Sequence, residues 1–306
     1  MKKAILLFLF FTLAASGAAA KDSKKLQVIT TIFPQYDFVR QVAKDKVELT
    51  QLLPLGAESH SYEPSPKDII KIQNCDVFIY VGGEGDAWVE KILASIDVKN
   101  KKIISLMDCV STVKEELVEG MQEEEGEEEE DAYDEHVWTS PKNAKIITQT
   151  IADVLQKADS QNSDFYEANA KNYILQLDAL DADFEETVKN SKRDAIIFAD
   201  RFPFRYFADA YKLKYFAAFP GCSTETEASA GTVKFLIDKI KSEKIPVVFH
   251  IELSNEKMAD AIAESTGAKK LLFHSCHNVS KKDFKAGLGY ADLMKRNVSV
   301  LKEALN

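Results

Sequence analysis

Five histidines supply the side chains of this chain that are best suited to binding a metal ion. His60 follows a strand-like run, within LGAESHSYEPSP, and His136 lies between an acidic segment and a predicted helix, within DEHVWTSP. His274 and His277 follow another strand-like run, within LFHSCHN, whereas His250 lies inside one, within VVFHIEL. Neutral imidazole is the commonest protein ligand of metal ions and suits zinc. The four loop histidines therefore suggest a metal site, whereas His250 is expected to be packed in a sheet or at its edge.

Spacing alone leaves a second interpretation of these histidines open. His60, His136 and His274 are 76 and 138 residues apart, so no local signature such as the HExxH of a metal-binding helix joins them. Solvent-exposed histidines in loops would show the same pattern without any metal. The four cysteines have no CxxC spacing, which argues against a cysteine-based zinc site.

Short apolar runs alternate with helical patterns along the chain, which indicates parallel sheets built from βαβ units. Strands are expected at 27–33, 47–53, 76–81, 102–106, 195–199, 215–219, 247–251 and 270–273. Helices are expected at 35–43, 66–73, 88–95, 140–158, 204–211, 231–242, 255–265 and 290–301. In an open parallel sheet, ligands bind beyond the carboxyl ends of the strands, where His60, His274 and His277 are placed.

The region 164–190 contains neither Gly nor Pro and has apolar residues near helical spacing, which predicts a single long helix. We therefore expect an α/β protein of two lobes, each a parallel sheet flanked by helices, joined by a long and rigid connecting helix. The expected boundaries are 21–160 for the N-terminal lobe, 161–191 for the connecting helix and 192–306 for the C-terminal lobe.

The first 20 residues have the pattern of a cleaved signal peptide. Lys2 and Lys3 precede the apolar run AILLFLFFTLAA, and Ala18 and Ala20 are the small residues expected before a cleavage site. The apolar run is shorter than the roughly 20 residues that span a membrane. No cysteine lies near the boundary to carry a lipid anchor, so we expect a periplasmic or secreted protein.

The net charge of −10 comes from one segment, Glu115–Glu135, which holds 13 acidic residues and no basic one. Without it, 36 acidic residues stand against 39 basic ones, and no basic stripe indicates nucleic-acid binding. The segment is interpreted either as a collector that raises the local cation concentration or as a solvated insertion without a role.

An exported protein can form disulfides, and four cysteines allow three pairings. Their positions in the chain suggest Cys75 with Cys109 and Cys222 with Cys276. Four buried, unpaired cysteines are the alternative.

The motifs together resemble the zinc- and manganese-binding solute-binding proteins of ABC importers, cluster A-I, the zinc-uptake and TroA-like group. The matching pieces span nearly the whole chain after the signal and occur in order. They are VITTIFPQYDFVRQVA, GAESHSYEPSPKDI, DEHVWTSPKNAKIITQTIADVL, ADRFPFRYFADAY, GCSTETEAS, LFHSCHN and YADLMKRNVSVL. The resemblance implies two lobes joined by a rigid helix, with one metal ion in the cleft between them.

The resemblance also implies ligands. His60 and His136 match the family's first two metal histidines, whereas the position of the third reads Arg201, which cannot ligate a metal. His274 falls where the family has a carboxylate after the last strand. The fourth ligand is left open, and Glu225 is the first choice. The other candidates are Glu227, His277, Asp200 and water.

We therefore predict a non-enzymatic, monomeric binding protein that captures Zn²⁺ and delivers it to a membrane permease of the ABC type. Three imidazoles favour zinc over manganese, which prefers oxygen ligands. An exported zinc-dependent hydrolase is the alternative, since three histidines with an open position can activate water. The other alternative is a manganese-binding protein of the same family.

Overall fold

The computed structural model describes residues 24–58, 62–121, 132–221, 223 and 228–306. Several predictions fall outside these residues: the signal peptide at 1–20, most of the acidic segment, and the side chains of His60, Cys222, Glu225 and Glu227.

Within the described residues the chain forms eight strands in two separate parallel sheets. The strands are β1 (Leu26–Thr30), β2 (Val47–Gln51), β3 (Val77–Tyr80), β4 (Lys102–Ser105), β5 (Ala195–Phe202), β6 (Lys214–Pro220), β7 (Val247–His250) and β8 (Lys269–Leu272). The N-terminal sheet has the order β2-β1-β3-β4, and the C-terminal sheet has the order β6-β5-β7-β8. Each sheet places its second strand beside its first and its third on the other side, so the two lobes share one topology.

Helices flank both sheets. They are α1 (Phe33–Ala43), α2 (Pro66–Asn74), α3 (Ala87–Ser95), α4 (Pro141–Ala158), α5 (Ser163–Lys189), α6 (Arg205–Tyr211), α7 (Ala230–Glu243), α8 (Lys257–Thr266), α9 (Lys281–Lys285) and α10 (Tyr290–Leu305). Local signals explain several starts. Pro66 follows the cap residue Ser65, whose hydroxyl accepts from the N–H of Asp68. No helix of the described residues combines the length and apolar character that a membrane span needs.

The long helix α5 connects the two lobes, as predicted. Its 27 residues give a rod of about 40 Å at 1.5 Å per residue. Tyr173, Leu177, Leu180 and Phe184 are buried along one stripe of it, and the helix packs against α1, α4 and α10. A helix held by elements of both lobes limits bending between them.

The lobes also meet directly through buried side chains. The indole Nε1–H of Trp138 donates to the carbonyl of Ser275 at 2.8 Å, and the hydroxyl of Tyr290 donates to the carbonyl of Trp138 at 2.7 Å. Both aromatic rings are fully buried. These contacts bring the loop before α4 against the loop after β8, and the candidate site lies where those loops meet.

The suggested disulfide between Cys75 and Cys109 is wrong, because both thiols are free. The thiol of Cys276 is free as well. Cys75 is buried at the end of α2 against Ile29, Ile72 and Phe78, where it acts as a small apolar side chain. Burial raises the pKa of the Cys75 thiol to about 11, which keeps it unreactive at neutral pH.

Candidate metal centre

His136 lies directly before the 3-10 turn Val137–Thr139 that leads into α4, and its side chain is completely buried. Its Nδ1 lies 3.1 Å from Oδ1 of Asp134, and the same oxygen accepts from the backbone N–H of His136 at 2.8 Å. A carboxylate on Nδ1 sets the tautomer and leaves coordination to Nε2, the usual arrangement of metal-binding histidines.

The charges around His136 favour its protonated form when no metal is present. Burial by itself lowers the pKa of the imidazole, but the nearby carboxylates of Asp134 and Glu135 outweigh burial and hold that pKa above its usual value. The same carboxylates that favour the proton on His136 would also attract a divalent cation.

His277 approaches His136 from the other lobe. The two imidazole centroids lie 4.7 Å apart with the rings perpendicular, and Trp138 lies 4.7 Å from His277 on another side. The backbone carbonyl of His277 accepts from the N–H of Phe33, the first residue of α1, at 3.3 Å. This histidine is therefore placed by contacts that cross between the lobes.

Glu252 shapes the turn that carries His277. Its carboxylate accepts from the N–H of Ser275 at 2.7 Å, from the hydroxyl of Ser275 at 2.7 Å and from the N–H of His277 at 3.0 Å. Cys276 has a φ of 63°, a left-handed conformation that is unusual for a residue with a side chain. The carboxylate and the left-handed residue together turn His277 towards His136.

Glu135 completes the cluster. One carboxylate oxygen of Glu135 and one ring nitrogen each from His136 and His277 all lie within 4.8 Å of one another. Burial raises the pKa of Glu135 to about 7, although nearby His136 and a hydrogen bond from Gly85 oppose that rise.

His274 lies three residues earlier and outside this group, although the resemblance implied that it is a ligand. Its Nδ1 accepts from the N–H of Cys276 at 3.0 Å and lies 3.4 Å from Oε1 of Glu252. Its backbone N–H and carbonyl both bond to the Asn297 amide, each at 2.8 Å. The structure therefore gives His274 a place in the turn and brings His277 to His136.

Arg201, at the position where the resemblance has a third histidine, forms an ion pair across the cleft. Its guanidinium faces the Glu58 carboxylate with both nitrogens, at 3.0 and 3.4 Å, and donates to the Ser223 carbonyl at 3.3 Å. Asn278 adds a second tie to the same segment through its amide, which donates to the carbonyls of Pro54 and Ala57, each at 2.8 Å. The chain just before His60 is thus attached to the C-terminal lobe.

The remaining candidates have structural surroundings. Asp200, proposed as a possible ligand, lies outside the cluster and accepts from the backbone N–H groups of Arg201 and Ile251 at the end of the C-terminal sheet. Nδ1 of His250 lies 3.1 Å from the carbonyl of Ile251 in the buried end of β7, the packed position predicted for it.

Sequence reasoning missed Glu135 as a part of the site, whereas the position of the acidic segment beside His136 was expected. Glu135 was counted only as the last acid of Glu115–Glu135, although its position beside His136 was a signal that could have found it. The ends of that acidic segment meet beside the site, where Lys114 pairs with Tyr133 and the N–H of Glu115 donates to the carbonyl of Ala132 at 2.9 Å.

Comparison with known families decides the classification. Residues 28–304 match the family described as ZnuA, the periplasmic component A of a zinc-uptake complex. The chain belongs to the ZnuA family. This match covers both lobes and the connecting helix, and the predicted resemblance is confirmed.

Individual relatives agree with the family match. The chain is 32% identical to the high-affinity zinc uptake system protein ZnuA of Bacillus subtilis over 95% of this chain and 91% of that protein. It is 32% identical to the zinc-binding lipoprotein AdcA of Streptococcus pneumoniae serotype 4 over 96% of this chain, but it spans only 58% of that longer protein. The Zn(II)-bound crystal structure of the ZnuA-like domain of Streptococcus pneumoniae AdcA superposes with a TM-score of 0.77 at 30% identity, over 92% of this chain and 99% of that domain.

Proposed function

We propose that this protein binds Zn²⁺ in the cleft between its lobes, outside the cytoplasm, and delivers the ion to an ABC importer. The observation that carries the proposal is the meeting of His136 and His277, one from each lobe, with imidazole centroids 4.7 Å apart. Membership in the ZnuA family and the zinc-related names of the relatives support the same cargo.

The proposed ligands are the imidazoles of His136 and His277, with His60 as a third from the resemblance of its motif. His277 replaces His274 in this proposal because Nδ1 of His274 already accepts from Cys276. Glu225 stays a proposed further contact from the loop after β6. A nitrogen-rich set of this kind favours zinc over manganese.

Capture and release follow from the same geometry. Asp134 holds His136 in one orientation, so the ion meets a ring that needs little reorganisation before binding. The long helix α5 limits wide opening of the lobes, and release is therefore proposed to depend on movement of the loops that carry the ligands. The proposed role is transport without catalysis, with export directed by residues 1–20.

Zinc titration of metal-stripped protein against a chromophoric chelator tests the proposal. We expect His136→Ala and His277→Ala each to weaken zinc binding by at least about 100-fold, the upper end of what outer-shell losses alone cost. His250→Ala is the matched control and should bind like the wild type. Wild-type zinc affinity in both His136→Ala and His277→Ala would reject the site. His274→Ala is measured alongside them, and a loss of zinc binding in that variant alone would restore His274 as the ligand.

A further inference from the structure

A glycine-rich turn in the N-terminal lobe encloses the carboxylate of Glu135. Residues Gly82, Gly83 and Gly85 follow β3, and their spacing matches no nucleotide-binding fingerprint, so sequence patterns assign them only a turn. We propose that this turn is a housing for Glu135 and that Glu135 supplies an oxygen ligand to the captured cation. This inference rests on the proposed zinc site and adds a ligand and its support to it.

The proximity of the three side chains is the first argument. A carboxylate oxygen of Glu135 and ring nitrogens of His136 and His277 lie within 4.8 Å of one another. Zinc–ligand bonds of about 2.0–2.2 Å in a tetrahedron place neighbouring ligand atoms roughly 3.4 Å apart. Side-chain rotations alone can close a gap of that size around an ion.

The fit of the glycines around the carboxylate is the second argument. A Cβ atom placed on Gly83 would lie 2.6 Å from Oε2 of Glu135, and one placed on Gly85 would lie 2.6 Å from Oε1. Real Cβ atoms do not approach other atoms so closely, so a side chain at either position would displace Glu135. The absence of side chains in this turn is therefore what admits the carboxylate.

The turn also holds the carboxylate in place. The N–H of Gly85 donates to Oε2 of Glu135 at 3.0 Å. The turn is itself fixed by Asp86, whose Oδ2 accepts from the N–H groups of Val81 at 2.6 Å and Gly82 at 3.3 Å. This hydrogen bond from the turn orients the carboxylate, as outer-shell partners of metal ligands do.

Charge is the third argument. Asp86, Asp134 and Glu135 are at most 8% exposed, and Glu135 lies within electrostatic reach of both other carboxylates and of His136. Buried carboxylates concentrated at one point attract a divalent cation strongly, because little water screens them. An oxygen ligand from Glu135 would also neutralise part of the charge of Zn²⁺ inside the cleft.

The decisive variant is Glu135→Gln, which keeps the size of the side chain and removes its charge. Glu84→Gln is the matched control, since Glu84 lies on the same turn and is exposed. We expect Glu135→Gln to weaken zinc binding at least tenfold and to shift the visible absorption bands of the Co²⁺-loaded protein, because a ligand atom has changed. Glu84→Gln should leave both unchanged. An unaltered cobalt spectrum and zinc affinity in Glu135→Gln would overturn the inference.

The housing is tested separately with Gly85→Ala, and Gly231→Ala in α7, where an added Cβ meets little, is its control. We expect Gly85→Ala to shift the cobalt spectrum in the direction of Glu135→Gln, with the far-ultraviolet circular dichroism retained. A wild-type spectrum in Gly85→Ala would overturn the housing. Loss of zinc binding in His136→Ala and His277→Ala with no effect of Glu135→Gln would reject this inference alone. No effect of any of these variants would reject the zinc site itself.

Discussion

His136 and His277 meet in one cleft, but the two lobes position them by different means. His136 is oriented through its own ring, by the carboxylate of Asp134 two residues away. His277 is placed through its backbone, on a turn built by Glu252 from 25 residues earlier in the chain. His136 is thus oriented by a neighbour in the chain, whereas His277 depends on a long-range contact, so the two histidines should respond differently to perturbation.

The largest effect is expected on the C-terminal side. Glu252→Ala removes a buried carboxylate from Ser275 and His277 and leaves their N–H groups without it, so we expect a loss of about 4 kcal/mol in the free energy of unfolding. Zinc binding should weaken as well, because the turn is lost. Urea denaturation and zinc titration measure the two effects. Glu264→Ala, exposed on α8, is the control, and equal stability of the two variants would show that the turn does not need Glu252.

The pH dependence of the metal-free protein tests the charges on the N-terminal side. Because the pKa of Glu135 is raised from 4.5 to about 7, the folded state holds a proton that the unfolded state releases between those values. The contribution of Glu135 to the free energy of unfolding is therefore fully present below pH 4.5. It falls by about 3 kcal/mol as the pH rises through 7. Relative to Glu135→Gln, the wild type should lose unfolding free energy over this range. Parallel pH profiles of the two proteins would contradict the expectation.

Asp134→Asn tests orientation through the ring. We expect zinc binding to weaken by roughly 10- to 100-fold, as for other outer-shell carboxylates, with the fold retained. Because nearby carboxylates raise the pKa of His136, protons compete with zinc from above the usual imidazole range in the wild type. In the variant this competition should begin at a lower pH. Zinc titrations between pH 5.5 and 8 measure the shift, and an unchanged pH profile would show that Asp134 does not tune His136.

Arg201 and Glu58 offer a smaller test of how the lobes are joined. The pair spans the cleft, but Glu58 is 39% exposed, so solvent screening limits its coupling energy to about 1 kcal/mol. A double-mutant cycle with Arg201→Ala and Glu58→Ala, read in unfolding free energy, measures this coupling. The exposed pair of Lys214 and Asp194 within the C-terminal lobe is the control and should show less. A cycle without coupling for Arg201 would mean that the pair does not join the lobes energetically.

The smallest effect is expected from the acidic segment. Replacing the eight acidic residues of 122–131 by their amides keeps the length and removes the charge. If the segment collects cations, the zinc association rate should fall a few-fold at low salt, and the difference should vanish at high salt. Stopped-flow measurement with a zinc indicator follows this rate. Identical rates at low salt would favour the solvated insertion.

Most of the fold was predictable because its signals are local. All eight strands lie within a few residues of the predicted positions, since β-branched and aromatic runs are easily read between helical patterns. The short helix α9 was missed because its five mostly polar residues have no apolar periodicity. Its cap Ser280, which accepts from the N–H of Asp283, was the available signal.

The site was only partly predictable, for a reason that the two histidines illustrate. His136 and the residues that orient it are adjacent in the chain. The choice between His274 and His277 depends on the left-handed Cys276 and on Glu252, and neither a conformation nor a distant contact can be read from LFHSCHN. The partner of Arg201 and the housing of Glu135 are likewise contacts between distant segments, separated by 143 and 50 residues.

A crystal structure of the zinc-loaded protein, with anomalous diffraction recorded on both sides of the zinc absorption edge, locates the ion and its ligands directly. We expect one zinc peak in the cleft, about 2.0–2.1 Å from Nε2 of His136 and from a ring nitrogen of His277. A peak bound by His274, or one away from both His136 and His277, would contradict it.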